Sequence, residues 1–358
     1  MILDVVKVFI PTAVSFLLGI ALSPLLTHYL YRYRMWKKSG GKIDYAGKEA
    51  VIFNSLHKET ESGTPRLGGI IVWGSAALTV ILFWLLARIL PTDSFLKLDF
   101  LSRSQTWLPL FTLCLGAVIG LVDDLFEIRG GQANAGQISG GLSLSIRLTA
   151  VTLISLFVGW WFYVKLGMDT VVLPGGYTLD FGPFFILFFV LTTLFLYAGG
   201  IIDGIDGLAG GIFASIFSAY AVIAFYQSEI NLAAFCATVT GALLAFLWFN
   251  IPPARFYMSE TGTMGLTITI AVVAFLTEKG GAYGVAALPL IALPLVLTVL
   301  SVILQVWSKR LRGKKIFLVA PLHHHFEALG WPGYKVTMRY WVIGIISAVM
   351  GVIVALLP

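Results

Sequence analysis

The stretch Leu108-Pro-Leu-Phe-Thr-Leu-Cys-Leu-Gly-Ala-Val-Ile-Gly-Leu-Val122 runs without a charge straight into Asp123-Asp124. With its flanks it approaches the ~20 apolar residues that cross a bilayer. Ionisable groups at the edge of such a segment are costly and mark function by default. Three further polar sets lie between other apolar runs. They are Asp203 and Asp206 in Gly-Ile-Ile-Asp-Gly-Ile-Asp-Gly, Glu260 in Met-Ser-Glu-Thr-Gly, and the tract His323-His324-His325 beyond a basic stretch.

Working outward, the 358 residues are 58% hydrophobic and 12% charged, with mean hydropathy +0.90. Soluble domains carry about twice that charged fraction, so the fold class is an all-α integral membrane protein. Ten spans are expected at 5–30, 67–90, 107–125, 146–165, 183–201, 206–226, 232–250, 263–277, 284–307 and 338–357. Pro289 and Pro294 predict a bend in the ninth, because proline removes a helical hydrogen bond. Two β-prone runs around Pro174-Gly175-Gly176 predict a small hairpin over 170–181 outside the membrane. The N-terminus has no signal-peptide pattern, so the first span is expected to remain as an anchor. Cys114 and Cys236 sit inside apolar runs and read as buried spectators.

Lysine and arginine set the orientation. The loop after span one carries Arg32, Arg34, Lys37, Lys38, Lys42, Lys48, Lys58 and Arg66. The loop after span nine carries Lys309, Arg310, Arg312, Lys314, Lys315 and Lys335. Loops of the other parity are poor in both residues. Odd-numbered loops are therefore expected in the cytoplasm, with both termini on the outer side. All four polar sets fall on odd-numbered loops. The domain reading is one polytopic transmembrane domain, 1–358, with active-site loops 31–66, 124–145, 200–206, 250–262 and 308–337. The net charge of +6 is spent in those loops, with no basic face and aromatic platform for nucleic acid.

Carboxylates gathered at a membrane surface repel one another unless a cation intervenes. Oxygen ligands suit Mg²⁺ or Mn²⁺, and magnesium completes its shell with phosphate oxygens and water. The chemistry indicated is phosphoryl transfer at the cytoplasmic face, between a soluble substrate and a lipid one. Each piece has a plainer reading: a solvated helix end for Asp123-Asp124, a tight turn for the Asp-Gly pairs, a helix N-terminal charge for Glu260. A transporter is a different class, but transporter sites lie near the midplane between repeats, and no repeat is evident.

The stretch Ala320-Pro-Leu-His-His-His-Phe-Glu327, with Gly330-Trp331 and Val336-Thr-Met-Arg-Tyr-Trp341, resembles the phospho-N-acetylmuramoyl-pentapeptide transferase family. The resemblance continues through Gly63-Thr-Pro-Arg-Leu-Gly-Gly69, Val122-Asp-Asp124, Gly141-Leu-Ser143, Asp203-Gly-Ile-Asp-Gly-Leu-Ala209 and Phe246-Leu-Trp-Phe-Asn250. It implies ten helices and transfer of phospho-MurNAc-pentapeptide from UDP-MurNAc-pentapeptide to undecaprenyl phosphate. UMP leaves, lipid I forms, and Mg²⁺ is the cofactor. It implies a homodimer in the bacterial inner membrane. It also implies the roles. Asp123 positions or deprotonates the lipid phosphate, and Asp124 supports it. Glu260 stands where the family has a metal-binding aspartate, with Asp124 as a further ligand. Asp203, Asp206 and Asn250 line the nucleoside site, and Tyr257 stacks on uracil. His324 and His325, with His323 alongside, meet the diphosphate or sugar, and Arg147 replaces a lysine.

The chain departs from the family pattern at Glu260, at Gly200 where an asparagine is usual, and at Glu61 and Arg66, which read as a charge swap. The alternatives are a relative using another UDP-N-acetylhexosamine, against which the histidine tract argues, and an inactive scaffold.

Overall fold

The structure is a computed structural model that describes residues 2–38, 63–102, 104–130 and 141–357. Helix α1 is Ile2–Arg32, α2 Gly69–Ile89, α3 Asp93–Leu98, α4 Trp107–Arg129 and α5 Leu144–Trp160. A π-helical turn, Trp161–Lys165, extends α5. Then come strands β1 Thr170–Leu173 and β2 Tyr177–Asp180, α6 Phe185–Gly199, α7 Leu208–Tyr226, α8 Ile230–Asn250 and α9 Ser259–Lys279. Last come α10 Gly284–Ile291, α11 Leu293–Arg312, α12 Leu322–Ala328 and α13 Gly333–Ala355. Ten of the helical segments are long and apolar enough to cross a membrane, as the hydropathy pattern predicts.

The predicted bend divides the ninth apolar segment into α10 and α11 at Ala292. Pro294 sits in the first turn of α11, where its missing N–H costs nothing. The connection near 200–206 is a single 3₁₀ turn, Gly200–Ile202, and an irregular loop before α7. The hairpin forms with Thr170 opposite Asp180 and Leu173 opposite Tyr177.

Helix α9 is the axis of the molecule. Every residue from Thr261 to Glu278 is buried. In so apolar a setting each hydroxyl must find a partner. Thr267 donates to Thr263 O at 2.7 Å, and Thr277 to Ala274 O at 2.8 Å. Helix α4 closes on α9 through Gly116 and Gly120, one turn apart. A Cβ on Gly116 would lie 2.8 Å from Gly265 Cα, and one on Gly120 would run into the Glu260 carbonyl. Small residues at this spacing let two backbones touch. That contact carries Asp123 and Asp124 to the start of α9.

The other end of α9 holds the hairpin. Glu278 accepts from Val172 N at 2.7 Å and Val285 N at 3.0 Å. Glu260 and Glu278 are a helix length of about 27 Å apart at 1.5 Å per residue, close to the ~30 Å of a hydrocarbon core. The hairpin and the acidic set therefore lie at opposite membrane boundaries.

Candidate active site

Three segments of the chain, two irregular and one helical, converge on the N-terminus of α9. Residues 65–69 zip onto 257–259: Tyr257 N donates to Pro65 O at 2.8 Å, Gly68 N to Tyr257 O at 2.8 Å, and Gly69 N to Met258 O at 3.2 Å. A Cβ on Gly68 would lie 2.7 Å from Tyr257 O, so only glycine permits this approach. The second segment is the 203–207 loop, and the third is the end of α4.

Ser259 ties them together. Its φ of +53° is in the left-handed region, a cost for a residue with a Cβ. Its N–H donates to Asp203 Oδ2 at 2.7 Å and its hydroxyl to Asp124 Oδ2 at 2.7 Å. Thr261 adds its N–H at 2.8 Å and its hydroxyl at 2.5 Å to the same Asp124 oxygen. Two carboxylates thus occupy the positive end of the helix dipole. Burial pushes the Asp203 carboxyl up to about 6, against the Ser259 amide that holds it down.

Asp124 Oδ2 is filled by three donors, which leaves Oδ1, 3.5 Å from Arg66 Nη1, as its more open oxygen. Asp123 is different. Its Oδ1 accepts from Leu142 N at 2.6 Å, an approach that Gly141 allows, since a Cβ there would sit 2.7 Å from that oxygen. Its Oδ2 is buried and has no hydrogen-bond partner among the described residues. The nearest cation is Arg147 Nη1 at 3.7 Å, and the same nitrogen lies 3.0 Å from Glu260 Oε1. Arg147, on the first turn of α5, thus stands between Asp123 and Glu260.

The sequence reading missed Glu127 and Lys37 as members of this set. Glu127 lies one turn beyond Asp123 and Asp124 on α4 and is buried. It pairs with Arg66 and, at 2.7 Å, with Lys37 Nζ. The i, i+3 and i, i+4 spacing of Asp-Asp-Leu-Phe-Glu was the available signal. Arg66 does face the acids as the charge swap expects, while Glu61 lies outside the described residues. Among the described residues the cluster joins five carboxylates, Asp123, Asp124, Glu127, Asp203 and Glu260, to three cations, Lys37, Arg66 and Arg147. Among the described residues no three His, Cys, Asp or Glu side chains close on one point.

Asn250 is placed behind the site. Its Oδ1 accepts from Gly207 N and its Nδ2 donates to Phe256 O, both at 2.9 Å. Both ends of the amide hold backbone, which makes it a positioning residue. Asp206 Oδ2 accepts from Ala254 N at 3.0 Å in the same clasp.

The histidine tract meets the 203–207 loop. A Cβ on Gly204 would lie 2.6 Å from His324 Nε2 and 2.7 Å from His323 Nε2, so both buried rings pack on that glycine. His324 Nδ1 pairs with Glu327 Oε2 at 2.7 Å. Glu327, three residues on, was not singled out in the sequence. His325 turns away: its Nδ1 accepts from Leu318 N at 3.2 Å. Three adjacent residues on a helix point in three directions, so the tract divides. The loop that delivers it is tied along α11, where Gln305 Oε1 accepts from Ile316 N and Phe317 N, each at 3.0 Å, and Ser301 Oγ accepts from Leu322 N at 3.0 Å. Helix α13 closes the site from behind through Thr337 to Asp206 O and Trp341 Nε1 to Gly207 O.

Comparison with known proteins gives this arrangement a family. Residues 106–278 match glycosyl transferase family 4. The chain is 32% identical to the phospho-N-acetylmuramoyl-pentapeptide-transferase of Anoxybacillus flavithermus over 354 residues, covering 97% of each. It is 34% identical to that of Geobacillus thermodenitrificans over 352 residues, 96% of this chain and 97% of the relative. It is 33% identical to that of Levilactobacillus brevis over 311 residues, 83% and 86%. Ten apolar helices, a buried acidic cluster at one boundary and these matches define a multi-pass membrane phospho-sugar transferase. The chain belongs to the phospho-N-acetylmuramoyl-pentapeptide transferase family, and is an enzyme of peptidoglycan synthesis.

Proposed function

We propose that the protein transfers phospho-MurNAc-pentapeptide from UDP-MurNAc-pentapeptide to undecaprenyl phosphate, forming lipid I and releasing UMP. An oxygen of the lipid phosphate bonds to the sugar-bearing phosphorus. The bond from that phosphorus to the bridging oxygen breaks, and the electron pair leaves with UMP. The acidic end of the bundle faces the cytoplasm of the bacterial inner membrane, where the basic loops after spans one and nine belong. The protein forms one domain, and a homodimer is the expected assembly.

The carrying observation is the charge of the cluster. Five carboxylates against three cations leave an excess of two negative charges among the described residues, and Asp123 Oδ2 is buried with no donor. A divalent cation fits that deficit. Mg²⁺ takes one or two carboxylates and fills its shell with phosphate and water, so a three-carboxylate cage is not required. Glu260 and Asp124 Oδ1 would hold it, with Asp123 Oδ2 left beside them for the lipid phosphate. When bound, it supplies positive charge to the diphosphate.

The chain's own residues do the rest. Asp123 orients the lipid phosphate, or takes its proton when that phosphate arrives protonated. Arg147 reaches both Asp123 and Glu260 and offers charge-assisted hydrogen bonds to phosphate. Asp124, locked by Ser259 and Thr261, fixes the end of α4 against α9. Asp203, Asp206 and Tyr257 border the nucleoside, and Asn250 holds their backbone. His324 contacts the diphosphate or sugar, with its Nδ1 oriented by Glu327. His323 lies beside it, and His325, turned away from the site, braces the 316–318 loop.

The test uses purified protein in detergent with undecaprenyl phosphate and Mg²⁺. UMP release is expected with UDP-MurNAc-pentapeptide and not with UDP-GlcNAc. Equal release from both would favour a transferase of broader sugar choice.

A further inference from the structure

A second charged feature lies at the same boundary, apart from the acidic cluster. Helix α1 ends at Arg32 and the chain turns back through Arg34, whose φ of +50° is left-handed. Met35 N then bonds Leu30 O at 2.9 Å. This turn and the last turn of α4 border an open cavity of about 690 Å³, lined by Arg34, Trp36, Lys38, Leu125, Ile128 and Arg129. Lys37, between two of these, turns inward to Glu127 at 2.7 Å. Its neighbours do not. Arg34, Lys38 and Arg129 are exposed, and none of their side chains forms an ion pair or hydrogen bond with the described residues.

Loop cations alone would be topology signals, and Arg129 alone would be a favourable charge at a helix C-terminus. What exceeds those readings is the surface that leads to them. On α4, Val122 and Phe126 are exposed on the face that ends at Arg129, at spacings of four and three residues. On α1 and the turn that follows it, Leu25, Tyr29 and Tyr33 are exposed four residues apart and end at Arg34, with Tyr29 and Tyr33 stacked at 6.3 Å. Two apolar stripes from two helices rise to one cavity rimmed by three cations with no ionic partner among the described residues. A free anion needs the cations and has no use for the stripes. An amphiphile with a phosphate head and acyl chains uses both.

We propose that this cavity is a binding site for one anionic phospholipid of the adjacent leaflet. Its phosphate sits among Arg34, Lys38 and Arg129, and its chains lie along the Val122–Phe126 and Leu25–Tyr33 stripes. Basic pockets between transmembrane helices at a membrane boundary take anionic headgroups, at about fivefold in affinity for each cation near the surface. The site is independent of the transferase reading, because none of its three cations belongs to the acidic cluster.

The experiment is native mass spectrometry of the full-length protein released from micelles holding equal phosphatidylglycerol and phosphatidylcholine. Wild type is expected to retain one phosphatidylglycerol in preference. Arg34→Gln/Lys38→Gln/Arg129→Gln should lose that preference, by about fivefold for each cation removed. The triple variant Arg312→Gln/Lys314→Gln/Lys315→Gln, altered on the other basic loop, should keep it. All the altered side chains are exposed, and melting temperatures should match wild type. If the first triple variant fails to fold, Arg129→Gln alone must lower the preference about fivefold. Unchanged selectivity in the cavity variants would overturn the proposal. So would an equal loss in the control, which would mean diffuse surface charge, or displacement of the lipid by millimolar inorganic phosphate, which would mean a free-anion site.

Discussion

Asp123 and Asp124 are neighbours in sequence with opposite situations. One oxygen of Asp124 takes three hydrogen bonds, while Oδ2 of Asp123 takes none from the described residues. Asp123→Asn is therefore expected to fold normally and to turn over ~10²–10⁴-fold more slowly, the usual loss for an acid–base group. UMP release and a melting curve check both halves. Asp124→Ala should instead lower stability, because two hydroxyls and an amide at the start of α9 lose their acceptor, at about 1–3 kcal/mol for the buried groups left unpaired. Asn250→Ala should behave the same way for the same reason, with a melting temperature that falls further than its KM changes. At His324 the partner matters: Glu327→Gln should reduce kcat while leaving the fold intact, since the ring loses the carboxylate that orients it. Wild-type kcat in Glu327→Gln would remove that role.

At the scale of the element, the site depends on how closely α4 approaches α9. Gly120→Leu should be among the most damaging single changes, because its side chain would enter space held by the backbone of Glu260 and Thr261. Overpacking of this kind costs about 1–3 kcal/mol or more and would also move Asp123 away from Arg147. Loss of folded yield and of activity together is the expected result; full activity in Gly120→Leu would mean that the helix contact does not set the site. Helix α11 has a comparable role for the histidine tract. Gln305→Ala should release the 316–318 loop and weaken turnover without touching the acidic cluster, a change readable as faster amide exchange confined to that loop.

At the scale of the whole molecule, the ten spans and the broken ninth segment were legible because apolar length and proline position are local properties. The hairpin at 170–180 was legible for the same reason, from Pro174-Gly175-Gly176. The short helices α3 and α12 were not, being too brief to show a period. In the site, the residue types of the acidic set could be read, but their division of labour could not. That Asp124 is saturated, that Asn250 faces backbone and that His325 turns away depend on which donors the folded chain brings near. Glu127 and Lys37 were not read as members of the set because they are ordinary charges in sequence and become buried partners only when the turn after α1 meets α4.

The proposed phospho-sugar transfer depends on a divalent cation held in the acidic cluster through Glu260. The most direct measurement is UMP release from UDP-MurNAc-pentapeptide and undecaprenyl phosphate against Mg²⁺ concentration, for wild type, Glu260→Gln and Glu260→Asp. The account predicts no Mg²⁺-dependent release for Glu260→Gln. For Glu260→Asp it predicts partial release that needs more Mg²⁺, since octahedral Mg²⁺ tolerates little displacement of a ligand. Were Glu260 only a helix-terminal charge, worth about 0.3–1 kcal/mol of stability, Glu260→Gln would match wild type in rate and Mg²⁺ requirement, and that result would contradict the account.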